Sequence, residues 1–305
     1  MSFNDDVQLD TSQVESGGSG GGPGGIAVGG GIGGIIMLII ALIFGIDPSS
    51  LPTGGGSTSP GSTQEQVDGT TGDAGALDRC KTGADANADA ECRIVGTVNS
   101  VQAYWAQELP RYQKEWQPTK TVIYQGSTQS QCGTASNQVG PFYCPLDQRI
   151  YLDASFFDIL QQQFGSDGGA LAQEYVVAHE YGHALQDQLG LLGRAQQDPQ
   201  GPNSGGVRIE LMADCLAGVW AKNAATTNGP GGKPFLKPLT EDDIRSALSA
   251  AAAVGDDRIQ SKTQGQVNPE SWTHGSADAR QRWFLQGYKT SDLNQCNTFG
   301  VDQVS

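Results

Sequence analysis

The chain has 305 residues, and its 33 Asp and Glu against 18 Lys and Arg give a net charge of −15. This acidic balance argues against a nucleic-acid-binding protein, because a surface that meets phosphates needs clustered positive charge. Low-complexity sequence fills most of the first 78 residues, and the rest of the chain is long enough for one sizeable hydrophobic core.

Residues 1–25 consist mainly of Gly, Ser and acidic side chains, a composition that predicts a disordered tail. The uncharged run Ile26 to Ile46 has 21 residues, enough to cross a hydrocarbon core of about 30 Å as one helix. We therefore predict a single-pass membrane anchor at 26–46. A cleaved signal peptide is the alternative, but the preceding segment is acidic and no A-x-A cleavage site follows the run.

Residues 47–78 are rich in Gly, Ser, Thr and Pro and are predicted to form a flexible linker to a folded domain at 79–305. All six cysteines lie after the anchor, which indicates an oxidising compartment and an extracytoplasmic domain in the cell envelope. Neighbours in sequence favour the pairs Cys80 with Cys92 and Cys132 with Cys144, which leaves Cys215 with Cys296. Six cysteines allow 15 connectivities, and six reduced thiols in a cytosolic protein are the alternative.

The patterns along the domain predict an α+β fold, mostly helical with a small sheet. Helices are expected at 97–109, 154–164, 171–189, 207–221, 240–254 and 276–288, and short strands at 121–124 and 149–152. The strand within 148–153 precedes the most informative helix, and we interpret it either as an edge strand that pairs with extended substrate or as an ordinary core strand.

The run His179-Glu180-Tyr181-Gly182-His183 matches the H-E-x-x-H motif of catalytic zinc sites. Residues four apart lie on one face of a helix, so both imidazoles can reach one cation. Glu180 lies about 100° around the helix axis, which suits a general base better than a ligand.

The helix predicted at 207–221 supplies a third ligand. Its only acidic side chains, Glu210 and Asp214, are spaced one turn apart within a strongly apolar sequence. Buried carboxylates require a cation or hydrogen-bond donors, which favours a metal. We assign Glu210 as the ligand and Asp214 as the acceptor that orients one imidazole, and the reverse assignment stays open.

Four segments together resemble the bacterial neutral zinc metallopeptidases: 178–186, 210–220, 253–260 and 269–276. The resemblance extends roughly from Arg79 to Phe299. It implies a Zn²⁺-dependent peptidase whose E-x-x-x-D segment is similar to that of thermolysin-like gluzincins. Many relatives begin with a basic segment, whereas this chain has no Lys or Arg before Arg79.

His274 is the remaining histidine and a candidate donor to the oxyanion of peptide hydrolysis; Tyr181 and Tyr288 are weaker candidates. His274 is also an alternative third ligand. Asp256 and Asp257 are interpreted as a turn or a helix cap, since calcium would need more oxygen ligands.

The sequence thus predicts a membrane-anchored peptidase that hydrolyses peptide or protein substrates with a zinc-activated water and Glu180 as general base. Its predicted partners are the substrate and the membrane, with no nucleic acid. A noncatalytic, zinc-stabilised envelope scaffold or peptide-binding module is the alternative function.

Overall fold

The computed structural model describes residues 2–17, 75–137 and 139–305, which form an α+β domain. Four strands form a sheet in the order β1-β2-β6-β5, in which β1, β2 and β6 are parallel and β5 is antiparallel to β6. Two further strands, β3 and β4, form an antiparallel hairpin. The strands are β1 (Val14–Ser16), β2 (Lys120–Tyr124), β3 (Ser127–Ser130), β4 (Gly133–Ser136), β5 (Phe142–Cys144) and β6 (Arg149–Asp153).

Helices make up most of the domain, as predicted. In chain order they are α1 (Gly83–Ala88), α2 (Ala90–Glu108), α3 (Phe156–Gln162), α4 (Ala170–Gln188), α5 (Gly193–Gln197), α6 (Gly205–Asn223), α7 (Glu241–Ala253), α8 (Asp256–Gln264) and α9 (Ala277–Thr290). The core lies where α4 and α6 pack against each other, with α2, α7 and α9 around them.

The contact between α4 and α6 depends on a glycine. A Cβ atom added to Gly182 would lie 3.0 Å from the Cα atom of Ala213 and 3.1 Å from its Cβ atom. The absence of a side chain at this position lets the two helices approach closely. This approach brings the faces that carry His179 and Asp214 together.

The predicted helix boundaries mostly agree with the structure, and the exceptions have local causes. Helix α2 begins at Ala90 rather than at residue 97, because the side chain of Asp89 accepts a hydrogen bond from Cys92 N and caps the helix. Thr240 and Asp243 form the predicted capping box at the start of α7. Asp256 and Asp257, interpreted as a turn or cap, begin the additional helix α8.

The prediction of a disordered tail is wrong for residues 2–17. Phe3, Val7 and Val14 are buried, and β1 extends the main sheet. Composition misled the prediction because three spaced apolar side chains give no periodic signal, although each fills a site on the folded domain. The domain also begins slightly earlier than residue 79, since Leu77 is buried.

The predicted anchor at 26–46 and most of the predicted linker lie outside the described residues. Within the ranges that the structure describes, no helix combines the length and the apolar character needed to cross a membrane.

Strand β6, proposed from sequence as a possible edge strand, lies inside the sheet between β2 and β5. It is therefore a core strand, the alternative that the sequence left open. The edge strand beside the metal motif is β5, and the backbone N–H of Tyr143 within it lies at the Glu180 carboxylate.

The three disulfides occur in the expected pairing: Cys80–Cys92, Cys132–Cys144 and Cys215–Cys296. The first two close short local loops, and the third joins α6 to the segment after α9. All six cysteines of the sequence are therefore oxidised in this structure.

Candidate metal centre

Helices α4 and α6 bring three potential ligands together. His179 Nε2 lies 3.2 Å from Glu210 Oε2, and His183 Nε2 lies 3.5 Å from Glu210 Oε1. Donors placed tetrahedrally about 2.0–2.1 Å from one ion are separated by about 3.3 Å, so the observed spacing suits zinc. Among the described residues, these three form a buried group whose ligand atoms all lie within 4.8 Å of one another, and the group does not include His274 or Asp214.

The other nitrogen of each imidazole faces an acceptor. His179 Nδ1 lies 2.9 Å from Asp214 Oδ1, and His183 Nδ1 lies 2.9 Å from Gln186 Oε1. Gln186 is itself held in place because its Nε2 donates to Ile209 O at 2.7 Å. In the tautomer that binds a metal, each Nδ1 would donate to its acceptor, and each Nε2 would keep its lone pair for an ion between it and Glu210.

Asp214 is the centre of a buried polar cluster that the sequence did not reveal. Arg280 donates from Nε to Asp214 Oδ2 at 2.9 Å and from Nη2 to Oδ1 at 3.0 Å, and the hydroxyl of Tyr175 donates to Oδ1. Arg280 and Asp214 are 2% and 0% exposed. This bidentate pair fixes the carboxylate that orients His179.

The electrostatics of the three potential ligands also favour a cation. Burial alone would lower the pKa of His179, but Asp214 and Glu210 raise it to about 9. Burial lowers the pKa of His183 to about 4. Burial would raise the pKa of Glu210, but His183, His274 and His179 hold it well below its usual range. In the absence of a metal, a proton on His179 Nε2 balances the Glu210 carboxylate. A metal ion would compete with this proton for the same lone pair.

Glu180 lies beside this group and keeps one oxygen without a partner. It is 7% exposed, and Oε2 makes no hydrogen bond with any described residue. Burial raises its pKa to about 7, with Glu210 adding to the rise and His179 opposing it. A buried carboxylate oxygen without a donor is costly unless water or an ion reaches it.

His274 also faces the site, held by a loop before α9. Its Nδ1 lies 3.0 Å from Thr273 Oγ1 and 3.4 Å from Asp256 Oδ1. Asp256 Oδ2 accepts backbone N–H bonds from Thr273, His274 and Gly275, at 2.7, 2.7 and 2.9 Å. Burial alone would lower the pKa of His274, but Glu210 and Asp256 raise it above its usual value.

These side chains line a small cavity of about 80 Å³, together with Pro141, Phe156, Tyr175, Val176, Val254 and Arg280. The two tyrosines considered from sequence do not line it. The hydroxyl of Tyr181 donates to Thr119 O at 3.0 Å, and the ring of Tyr288 stacks on Phe284. A larger cavity of about 560 Å³ lies elsewhere and contains none of the metal-site residues.

Two of the site residues that sequence analysis missed, Gln186 and Tyr175, could have been found from their helical spacing. Gln186 follows His183 by three positions, so the helix repeat could have placed it beside that histidine. Tyr175 precedes His179 by one turn on the same helix. Arg280 offered no such signal, because its contact with Asp214 joins positions 66 residues apart.

The residues present fit a zinc ion. Two oriented imidazoles and one carboxylate converge, and the orphaned Glu180 Oε2 lies in the same cavity. The other group of potential ligands in the described part of the chain, Cys80, Asp89 and Cys92, is no match for zinc, since its two sulfur atoms form a disulfide.

Comparison with known proteins identifies the family. The family model described as "Putative neutral zinc metallopeptidase" matches residues 4–299. Uncharacterized proteins of Mycobacterium bovis and Mycobacterium tuberculosis are 53% identical over 302 residues, which is 99% of this chain and 99% of theirs. The uncharacterized protein YpfJ of Escherichia coli is 41% identical over 201 residues, 64% of this chain and 67% of its own. No solved structure matches significantly. The chain therefore belongs to the neutral zinc metallopeptidase family.

Proposed function

We propose that this protein is a zinc-dependent endopeptidase in which His179, His183 and Glu210 hold the metal. The observation that carries the proposal is the convergence of both Nε2 atoms and the Glu210 carboxylate beside a buried glutamate with a free oxygen. Zinc bound there supplies Lewis acidity, polarising the scissile carbonyl and lowering the pKa of the attacking water.

Glu180 is the general base in this proposal. Its unpartnered Oε2 is free to accept a proton from the attacking water and then to pass it to the amide nitrogen of the leaving group. Burial among apolar side chains raises the pKa of Glu180 to about 7, and a base with a pKa near neutrality can both take up and release the proton.

His274 is proposed to donate to the oxyanion that develops on the scissile carbonyl. The contacts of its Nδ1 with Thr273 and Asp256 fix the ring, and its raised pKa favours the protonated form that donates. Asp214 and Gln186 act on the ligands and not on the substrate, since each holds one imidazole in the required tautomer.

We further propose that the protein is attached to the cell membrane through residues 26–46 and that its domain faces an oxidising compartment of the cell envelope. The three disulfides support the compartment, because cytosolic thiols are kept reduced. The apolar length of 26–46 supports the attachment.

A Glu180→Gln variant distinguishes a peptidase from a noncatalytic scaffold. It should retain zinc and lose peptide hydrolysis by several orders of magnitude, because the amide cannot accept the proton. The matched control is Glu174→Gln, which changes another buried glutamate of the same helix and should leave turnover intact.

Comparing cleaved N-termini in cells that express the wild type or Glu180→Gln would also identify substrates. A set of cleavages that depends on Glu180 supports the peptidase. Equal turnover of peptides by wild type and Glu180→Gln would remove Glu180 from the mechanism and favour the scaffold.

A further inference from the structure

Residues 2–17 pack on the surface of the folded domain and are held there by specific hydrogen bonds. Two asparagines of the domain each bind both backbone groups of one residue in this segment. Asn87 Oδ1 accepts from Phe3 N at 2.8 Å and its Nδ2 donates to Phe3 O at 3.1 Å, while Asn99 does the same for Asp10 at 2.7 and 2.9 Å. Asn99 is 2% exposed, so its amide would be costly to bury without this partner.

Apolar contacts hold the same segment. The ring of Phe3 is fully buried and packs directly over Gly96 of α2, where an added Cβ would lie 2.7 Å from Phe3 Cε1. An added Cβ at Gly83 would lie 2.0 Å from Asn4 O. The two glycines thus leave the space that the segment fills.

The end of the segment is part of the main sheet. Val14, Glu15 and Ser16 pair in parallel with Thr121, Val122 and Ile123, and Gly17 N donates to Ile123 O at 2.7 Å. Glu15 also forms an ion pair with Arg149 of β6 at 3.0 Å. Paired strands lie about 4.8 Å apart, so the segment and the domain share one compartment.

We infer that residues 2–17 and the domain at 75–305 lie on the same side of the membrane. This arrangement excludes a single crossing of the bilayer by the chain between them. One crossing would separate the two parts by a hydrocarbon layer of about 30 Å. This inference replaces the single-pass arrangement expected from sequence.

The sequence between the two parts has one apolar run of anchor length, Ile26 to Ile46. Two helical crossings would need about 40 apolar residues, nearly twice that number. The apolar run is therefore long enough for one helical crossing and too short for two.

Accessibility in intact cells tests the inference on the full chain. The six native cysteines are all in disulfides, so Asp6→Cys and Asp278→Cys each introduce one thiol, at side chains that are 67% and 80% exposed. We expect a membrane-impermeant maleimide to label both variants before permeabilisation, or both only after it. Labelling of one before and the other only after permeabilisation would overturn the inference.

A double-mutant cycle tests the contact itself in isolated membranes. Gly96→Ala should lower the Tm, because the new methyl group meets the ring of Phe3. In a Phe3→Ala background, itself less stable by roughly 10 °C, the same change should be neutral or stabilising, since Ala favours a helix over Gly. The control Ile259→Val, in α8, should lower the Tm equally in both backgrounds.

An equal effect of Gly96→Ala in both backgrounds would show that residues 2–17 do not pack on the domain in the membrane, and the inference would fail. Neither measurement depends on peptide hydrolysis. A failure of the proposed peptidase function is therefore distinguishable from a failure of this inference.

Discussion

The two halves of helix α4 each bury a glutamate, and the two residues differ in what surrounds them. Glu174 and Glu180 are 0% and 7% exposed, and burial raises the pKa of each to about 7. Glu180 lies beside two oriented histidines in a cavity, whereas Glu174 has no hydrogen-bond partner among the described residues and lines neither cavity. A raised pKa alone therefore does not distinguish Glu180, the candidate general base, from Glu174; the neighbouring histidines and the cavity do.

The largest expected difference between substitutions in the two halves of α4 is in zinc binding. His179→Ala and His183→Ala should each abolish zinc retention in the purified full chain, because the remaining two protein ligands hold the ion too weakly. Glu174→Gln, in the other half, should keep one zinc per chain. Elemental analysis checks this, and full zinc occupancy in both histidine variants would rule out the site.

Substitutions on α6 and at Gln186 should separate ligands from the side chains that orient them. Glu210→Ala should lower zinc affinity severely, while Asp214→Asn and Gln186→Ala should each lower it about 10- to 100-fold. A competition titration with a chelator measures the order. If Asp214→Asn weakened binding more than Glu210→Ala, the two carboxylates would exchange roles.

The pH dependence of turnover should come from Glu180 and not from Glu174. Glu180 must be ionised to accept a proton, so kcat/KM should fall as the pH drops through its pKa, which is about 7 in the metal-free protein. A bound cation lowers this pKa, so the acid limb should lie at or below pH 7. Glu174→Gln should leave the limb in place; a shifted limb would mean that Glu174 contributes to catalysis.

The smallest expected effect is on stability, at Glu174. Its pKa rises on folding from 4.5 to about 7, so its contribution is fully present below pH 4.5 and is lost as the pH rises through 7. Glu174→Gln should therefore stabilise the protein by about 3 kcal/mol at pH 8 and by roughly 1 kcal/mol at pH 5.5. Chemical denaturation at both pH values measures the difference. An equal gain at both would mean that Glu174 does not titrate on folding.

Short-range features of this chain could be predicted from its sequence. The two histidines and Glu180 lie within one helical turn, and Glu210 and Asp214 lie within another, so the helix repeat alone places each set on one face. The disulfide pairing could also be predicted from sequence. Four cysteines have a partner 12 residues away, and the remaining two are then left to pair with each other.

Features that join distant parts of the chain could not be predicted in this way. Arg280 contacts Asp214 across 66 residues, and Asn99 binds Asp10 across 89. Strand β1 has only three residues, too few for alternation to be visible, and it forms because β2 offers unpaired backbone groups at its edge. The segment is acidic and low in apolar content, so its order comes from the site that receives it.

The disulfide between Cys215 and Cys296 also sets an order of events during biogenesis. Cys80–Cys92 and Cys132–Cys144 can each form once 12 further residues have reached an oxidising compartment, but Cys215 must wait for 81. Cys215 directly follows Asp214 on the helix that also carries Glu210. The helix that completes the candidate metal centre is therefore the last of the cross-linked elements to be secured, after most of the chain has been delivered to that compartment.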